Sequence, residues 1–132
     1  NRRQRQMCIR DSIEDHKVHN ENYSINKNDF KEILKLKKEG YKIYAVGTTV
    51  LRTLETVIKT NIFKGTTDLY IKPGYQYELV DYLITNFHAP NSSLLSIVLS
   101  IYGEGWKELY MYAQSKNLKF LSFGDAVLFK IT

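Results

Sequence analysis

Hydrophobic residues recur every three or four positions after Asn26, which is the period of an amphipathic helix. Asn26 is a good N-cap and Gly40 a typical terminator, so the pattern predicts a helix through about Glu39. Residues 13–25 before it are polar with isolated apolar positions, which favours an extended segment. The apolar side of the predicted helix consists of Phe30, Ile33, Leu34 and Leu36.

A short apolar run at 42–47 predicts a buried strand that leads directly into a second helix. Gly47, Thr48 and Thr49 form the junction. Helix, strand, tight turn and helix in this order are the layout of an α/β unit. The glycine pattern is neither that of a Walker loop nor that of a Rossmann fingerprint. The second helix has its apolar residues at i, i+3 and i+4 spacing: Val50, Leu51, Leu54, Val57 and Ile58.

Residues 81–87 predict a largely buried strand that leads into helix 94–102 through a polar corner. Pro90 ends the strand because it cannot donate to a sheet ladder, and Asn91 or Ser92 is expected to cap the helix. In open α/β sheets, ligands bind outside the carboxyl ends of strands, where helix N-termini offer unpaired N–H groups. The corner is therefore a candidate site, although simple capping and turning explains it equally well. Its polar residues are Thr85, Asn86, His88, Ser92 and Ser93.

The remaining elements have weaker patterns. Leu69–Ile71 predicts a strand, and Lys72–Tyr75 predicts a type II turn in which Gly74 takes the positive φ. After a glycine-rich break, a helix is expected from residue 106 to about 116. Two strand-like runs around Gly124–Asp125 close the chain.

Composition narrows the class of protein. The 132 residues fit one domain or part of one, and a formal charge of +5 permits a polyanionic partner such as RNA. Lys-rich solvated faces would give the same charge. The single cysteine, Cys8, excludes an intramolecular disulfide and argues against a cysteine-based zinc site. No apolar run approaches the roughly 20 residues of a membrane span and no signal peptide opens the chain, so we expect a cytoplasmic protein with no membrane partner.

Residues 1–12 have neither a helical nor a strand period and carry four arginines. A basic nucleic-acid-binding arm is one interpretation. The string also looks like translated sequencing-adapter DNA, and we expect it to be a non-native leader. The fold is therefore expected in residues 13–132.

Candidate chemistry is spread along the chain. His19 and Glu21 are two residues apart in an extended segment and share a face, so they can form an acid/base or substrate-holding pair. A solvated charged strand fits the same pattern. Arg52, one turn inside its helix, could reach a carboxylate or phosphate. Asp125 could orient a substrate hydroxyl, with a β-bulge as the alternative.

Six groups of residues occur in an order that resembles one known family. They are His19-Asn-Glu21; Ala45-Val-Gly-Thr-Thr49 with Arg52-Thr-Leu-Glu55; Thr67-Asp68 with Ile71-Lys-Pro-Gly-Tyr75; Asp81 with Thr85-Asn-Phe-His88; Pro90 with Ser92 and Leu94-Leu95; and Phe120 with Ser122-Phe-Gly-Asp-Ala126. Over residues 13–132 the chain resembles the S-adenosylmethionine:tRNA ribosyltransferase-isomerases of queuosine biosynthesis.

The resemblance implies an α/β fold, with a mixed sheet and flanking helices. It implies the C-terminal part of the family's larger α/β catalytic domain, with the inserted β-barrel domain absent. The implied enzyme transfers and isomerises the ribosyl group of S-adenosylmethionine onto 7-aminomethyl-7-deazaguanine in the tRNA wobble position. The products are epoxyqueuosine-tRNA, adenine and methionine. S-adenosylmethionine is then a substrate, no metal is required, tRNA is the partner and the protein is a monomer.

The resemblance also implies roles for individual residues. A non-catalytic tRNA- or nucleoside-binding fragment is the alternative, because a truncated sheet exposes unpaired edges and apolar faces and could leave this chain inactive alone. The implied catalytic residues are His88, His19, Glu21 and Asp125, and the implied substrate-binding residues are Thr48, Thr49, Arg52, Asp68, Asn86 and Ser92.

Overall fold

The computed structural model describes residues 20–87, 95–118 and 125–131. Strands and helices are interspersed along these residues, which confirms the predicted α/β class. A 3-10 turn, Gly103–Gly105, joins the third helix to the fourth. The elements are β1 (Glu21–Ser24), α1 (Lys27–Lys38), β2 (Tyr44–Val46), α2 (Thr48–Thr60), β3 (Lys64–Thr67), β4 (Tyr82–Asn86), α3 (Leu95–Tyr102), α4 (Trp106–Ser115) and β5 (Ala126–Lys130).

These residues form two compact units. The sheet unit comprises residues 20–69, 76–85 and 128–131, and the helical unit comprises residues 70–75, 86–87, 95–118 and 125–127. Within the described part of the chain, none of the helices has the length and hydropathy that a membrane crossing requires.

Two sheets organise the sheet unit. β1 and β3 pair antiparallel, with Glu21 opposite Thr67. The second sheet has the order β2-β4-β5, and β2 runs parallel to β4 with Val46 opposite Ile84. The N–H of Ile131 donates to the Asp81 carbonyl at 2.8 Å, so the end of β5 lies beside the start of β4, as in an antiparallel pair. The sheet is mixed, as predicted.

The predicted boundaries of α1 are confirmed by its caps. The Asn26 side chain accepts hydrogen bonds from the N–H groups of Asn28 at 2.8 Å and Asp29 at 3.2 Å. Gly40, just beyond the helix, has a φ of 101°, which few residues other than glycine adopt. Phe30 is the buried anchor of the helix and meets Phe63 edge-to-face at 5.7 Å.

α2 is the most buried helix of the sheet unit. Of its predicted apolar positions, Leu51, Leu54 and Val57 are each at most 5% exposed and Ile58 is half-buried, whereas Val50, in the first turn, is 43% exposed. The helix ends at Asn61, a left-handed residue whose N–H donates to the Val57 carbonyl at 2.8 Å. Two charged residues, Arg52 and Glu55, are buried in the same helix.

The strand predicted at Leu69–Ile71 is wrong, because β3 lies earlier, at Lys64–Thr67. The Leu69 N–H donates to the Thr67 hydroxyl at 3.1 Å, and the Leu69 carbonyl accepts from Arg52 Nε at 3.0 Å. Side chains therefore occupy the backbone groups that a sheet ladder would need. The apolar character of this segment instead serves burial, since Ile71 is 1% exposed.

The helical unit packs α3 and α4 around aromatic contacts. Tyr110 meets Phe87 and Trp106 edge-to-face, at centroid distances of 5.6 and 5.7 Å. The predicted turn is confirmed, because the Tyr75 N–H donates to the Lys72 carbonyl at 3.0 Å and Gly74 has a φ of 95°. The predicted strand stop Pro90, the N-caps Asn91 and Ser92, and the strand-like run before residue 125 lie outside the described residues.

Candidate functional site

The carboxyl ends of the parallel strands β2 and β4 meet at one edge of the sheet. The chain leaves β2 through Gly47, whose N–H donates to the Ile84 carbonyl at 2.8 Å, and enters α2 at Thr48. Thr48 is half-buried and Thr49 is exposed. α2 has no side-chain cap at Gly47 and no acidic residue in its first turn. Its first amides and hydroxyls therefore favour a polar or anionic ligand.

Polar residues also occur at the carboxyl end of β4. Thr85 is buried and Asn86, the last residue of the strand, is exposed. The next predicted site residues along the chain, His88 and Ser92, lie outside the described residues, as does His19. Their roles stay predictions.

The guanidinium of Arg52 is buried and joins α2 to β1 and to the end of β3. The side chain is 2% exposed, and Nη1 donates to Glu21 Oε1 at 2.5 Å. Nε donates to the Leu69 carbonyl at 3.0 Å and Nη2 to the Thr67 carbonyl at 3.5 Å. The Glu21 side chain remains 32% exposed, so a buried cation holds a carboxylate that reaches solvent.

Asp68 lies between the two residues whose carbonyls bind Arg52. The Thr67 hydroxyl accepts from the Leu69 N–H at 3.1 Å and lies 2.7 Å from the Thr56 hydroxyl. The backbone on both sides of Asp68 is thereby fixed, while Asp68 itself is exposed. An exposed carboxylate on a fixed backbone can accept hydrogen bonds from hydroxyl groups of a ligand.

Glu55 is a structural residue for which sequence reasoning assigned no role. It is fully buried, and its carboxylate accepts from the backbone N–H groups of Glu78 at 2.9 Å, Leu79 at 2.9 Å and Val80 at 3.0 Å. Lys59 Nζ lies 3.9 Å from Glu55 Oε1. One side chain of α2 therefore fixes the segment that leads into β4.

Asp81 links the starts of β2 and β4. Its Oδ2 accepts from the Ile43 N–H at 2.8 Å, and its own N–H donates to the Ile43 carbonyl at 2.9 Å. Lys37 Nζ lies 3.2 Å from Asp81 Oδ1 and donates to the Leu79 carbonyl at 2.6 Å. The feature of the sequence that could have indicated this buried contact is an acidic residue directly before an apolar strand.

Two of the predicted site residues, Glu21 and Arg52, are in direct contact. Arg52 also binds the carbonyls on either side of a third, Asp68. Asp125 is exposed immediately before β5. Among the described residues, no group of three or more His, Cys, Asp or Glu side chains is gathered as a metal site requires.

Comparison with known proteins gives a consistent match. The sequence profile of a family described as queuosine biosynthesis protein matches residues 4–129. The S-adenosylmethionine:tRNA ribosyltransferase-isomerase of Thermotoga petrophila is 42% identical over 89% of this chain and 36% of its own length. The protein of the same name from Acetivibrio thermocellus is 44% identical over 91% of this chain and 37% of its own length.

A solved structure shares the fold. The crystal structure of S-adenosylmethionine tRNA ribosyltransferase from Thermotoga maritima superposes with a TM-score of 0.74 at 39% sequence identity, covering 79% of this chain and 38% of that one. This chain thus spans little more than a third of the length of the relatives it matches.

Proposed function

Because the chain belongs to the queuosine biosynthesis protein family, we propose that it is part of an S-adenosylmethionine:tRNA ribosyltransferase-isomerase. The observation that carries the proposal is the match to enzymes of that name at 42% identity over 89% of the chain. In the proposed reaction the ribosyl group of S-adenosylmethionine passes to 7-aminomethyl-7-deazaguanine at the tRNA wobble position and is isomerised. Epoxyqueuosine-tRNA, adenine and methionine are the products, and the reaction takes place in the cytoplasm.

The reaction sets clear chemical demands on the site. A base must take the acidic proton beside the sulfonium, an acid must protonate the departing adenine, and polar groups must hold the ribose hydroxyls and the methionine carboxylate. In our proposal, the proton transfers fall to His88, His19, Glu21 and Asp125, of which Glu21 has a carboxylate held by Arg52.

Substrate binding in this proposal uses the edge where β2 and β4 end. Thr48 and Thr49 at the start of α2 suit the methionine carboxylate, because helix N-termini favour anions. Asp68 suits a ribose hydroxyl, and Asn86 and Ser92 supply further neutral hydrogen-bonding groups. The hydrogen bonds of Arg52 to Glu21 and to two carbonyls support a positioning role for the guanidinium in place of direct contact with the substrate.

A segment exchange tests the proposal with a complete protein. Residues 20–131 would replace the matching segment of the Thermotoga maritima enzyme, and the chimera would be incubated with S-adenosylmethionine and tRNA that carries 7-aminomethyl-7-deazaguanine. We expect stoichiometric release of adenine and formation of epoxyqueuosine, measured by liquid chromatography and mass spectrometry of digested tRNA.

Matched variants of the chimera connect the reaction to the site. Glu21→Gln should abolish adenine release, whereas Asn22→Gln, on the neighbouring exposed position of β1, should retain it. A folded chimera that binds the tRNA but releases no adenine would refute the enzymatic proposal and favour the non-catalytic binding fragment.

A further inference from the structure

Four lysines lie side by side on one face of α1, and no other residue of the helix lies within that face. At about 100° per residue, Lys27, Lys31, Lys35 and Lys38 fall within an arc of about 80° on the helix surface. All four are exposed. The acidic residues Asp29, Glu32 and Glu39 lie outside this arc. We call these four side chains the lysine face.

Ion pairing within the described residues does not explain the lysine face. None of its four lysines forms a salt bridge there, in contrast to Lys37 of the same helix, which pairs with Asp81. Lys27 lies over the Phe63 ring at 5.8 Å. Lysines spaced four residues apart repel one another and weaken an isolated helix. A helix that only required solubility would gain from alternating charges at these positions.

Other positions of α1 are held by contacts within the sheet unit, so the lysine face has a fixed direction. Phe30 is buried against Phe63, and Lys37 donates to the Leu79 carbonyl at 2.6 Å. The lysines span the twelve residues of the helix, a rise of about 16 Å. A helix of this length can contact several consecutive phosphates of a nucleic acid strand.

We propose that the lysine face of α1 binds the phosphate backbone of the tRNA substrate. The choice of RNA over another polyanion rests on the proposed function, while the presence of an anion-binding surface rests on the charges alone. Lysine contacts to phosphate carry no sequence information, so the surface would add affinity and orientation without selecting the wobble base.

Salt dependence of binding tests the proposal on the 132-residue chain. A labelled tRNA transcript would be titrated at 50 to 200 mM salt and followed by fluorescence anisotropy. The triple variant Lys31→Gln, Lys35→Gln, Lys38→Gln should lower the slope of log Kd against log salt by about 2 to 2.7, since each phosphate contact contributes about 0.7 to 0.9. Over that fourfold change in salt, the unaltered chain would then lose at least about 16-fold more affinity than the variant.

A second triple variant removes the same charge elsewhere. Lys107→Gln, Lys116→Gln, Lys130→Gln should leave the slope unchanged, because these lysines lie outside the lysine face. Glutamine has nearly the helix propensity of lysine, and circular dichroism would verify that both variants are folded. Equal loss in both triples would show that binding follows net charge, and the proposal would be wrong. Loss of binding to phosphatidylserine vesicles, with tRNA binding intact, would also overturn it.

The same two triples in the chimera separate this proposal from the enzymatic one. Adenine release at saturating tRNA reports the reaction, while the salt slope of tRNA binding, which should fall only in the lysine-face variant, reports the surface. If no chimera releases adenine but the slopes still differ, the RNA-binding surface stands and the proposed reaction fails. If the slopes agree while adenine is released, the reaction stands and the lysine face is not the binding surface.

Discussion

Removing the Glu55 carboxylate should be among the most destabilising single changes in the sheet unit. Three backbone N–H groups donate hydrogen bonds to this side chain, at 2.9 to 3.0 Å. Two of them belong to Leu79 and Val80, each 1% exposed. Glu55→Ala leaves these donors without an acceptor. A buried donor without a partner costs about 1 to 3 kcal/mol, so the three together cost about 3 to 9 kcal/mol.

Glu55→Gln separates the loss of charge from the loss of the side chain. Its amide oxygen can replace Oε2 and accept from Leu79 and Val80, but its NH2 group then faces the N–H of Glu78. One hydrogen bond is lost and two lose their charge assistance, for a cost of about 2 to 4 kcal/mol. Since small domains are stable by only about 5 to 15 kcal/mol, either variant should lower the urea midpoint clearly.

Urea unfolding followed by far-UV circular dichroism measures this effect. Glu32→Gln is the matched control, because Glu32 is exposed on α1 and its loss should leave the midpoint unchanged. Hydrogen exchange adds a local measurement, since the amides of residues 78–80 should exchange faster in Glu55→Gln. A loss below about 1 kcal/mol in Glu55→Ala would refute the reasoning, because it would mean that water satisfies the three donors.

Three further changes have definite expectations. Gly47→Ala should destabilise by about 1 to 3 kcal/mol in urea unfolding, because φ 97° and ψ 149° form a conformation that essentially only glycine adopts, although a Cβ would meet no atom within 4 Å; Gly65→Ala, where a Cβ makes only ordinary contacts, is the control. Asn26→Ala should cost about 1 kcal/mol by the same measurement, because two first-turn amides lose their acceptor, and Asn26→Asp should restore it. Arg52→Lys should lower kcat of the chimera about tenfold or more with KM nearly unchanged, because an ammonium cannot hold Glu21 and two carbonyls together; a rise in KM alone would instead indicate direct substrate contact.

The parts of the fold that the sequence predicted are those specified by local chemistry. Asn26 and Gly40 mark the ends of α1 because capping hydrogen bonds and a positive φ involve residues only a few positions apart. The Gly47 junction and the apolar period of α2 are local in the same sense. Signals of this kind locate a helix without information about distant parts of the chain.

The position of β3 could not be read from local pattern, because it depends on a distant partner. β3 pairs with β1, more than 40 residues earlier, through Asn22 and Thr66, whose side chains are hydrogen-bonded at 2.9 Å. The strand was predicted at Leu69–Ile71 because this run is more hydrophobic. The backbone N–H and carbonyl of Leu69 are instead bound by Thr67 and Arg52. Ile71 is buried, but its segment is not bonded as a strand.

Arg52 and Glu55 have the i, i+3 spacing that usually indicates a surface ion pair on a helix. Each instead binds a different part of the chain: Arg52 holds Glu21 and the carbonyls on either side of Asp68, and Glu55 holds the segment before β4. Both are buried, so α2 fixes these segments through charged side chains whose hydrogen bonds tolerate little displacement. Glu21 and Asp68 are left with carboxylates that reach solvent. In the proposed reaction, this burial gives the two residues of α2 a positioning role and leaves the carboxylates of Glu21 and Asp68 as the groups that a substrate can reach.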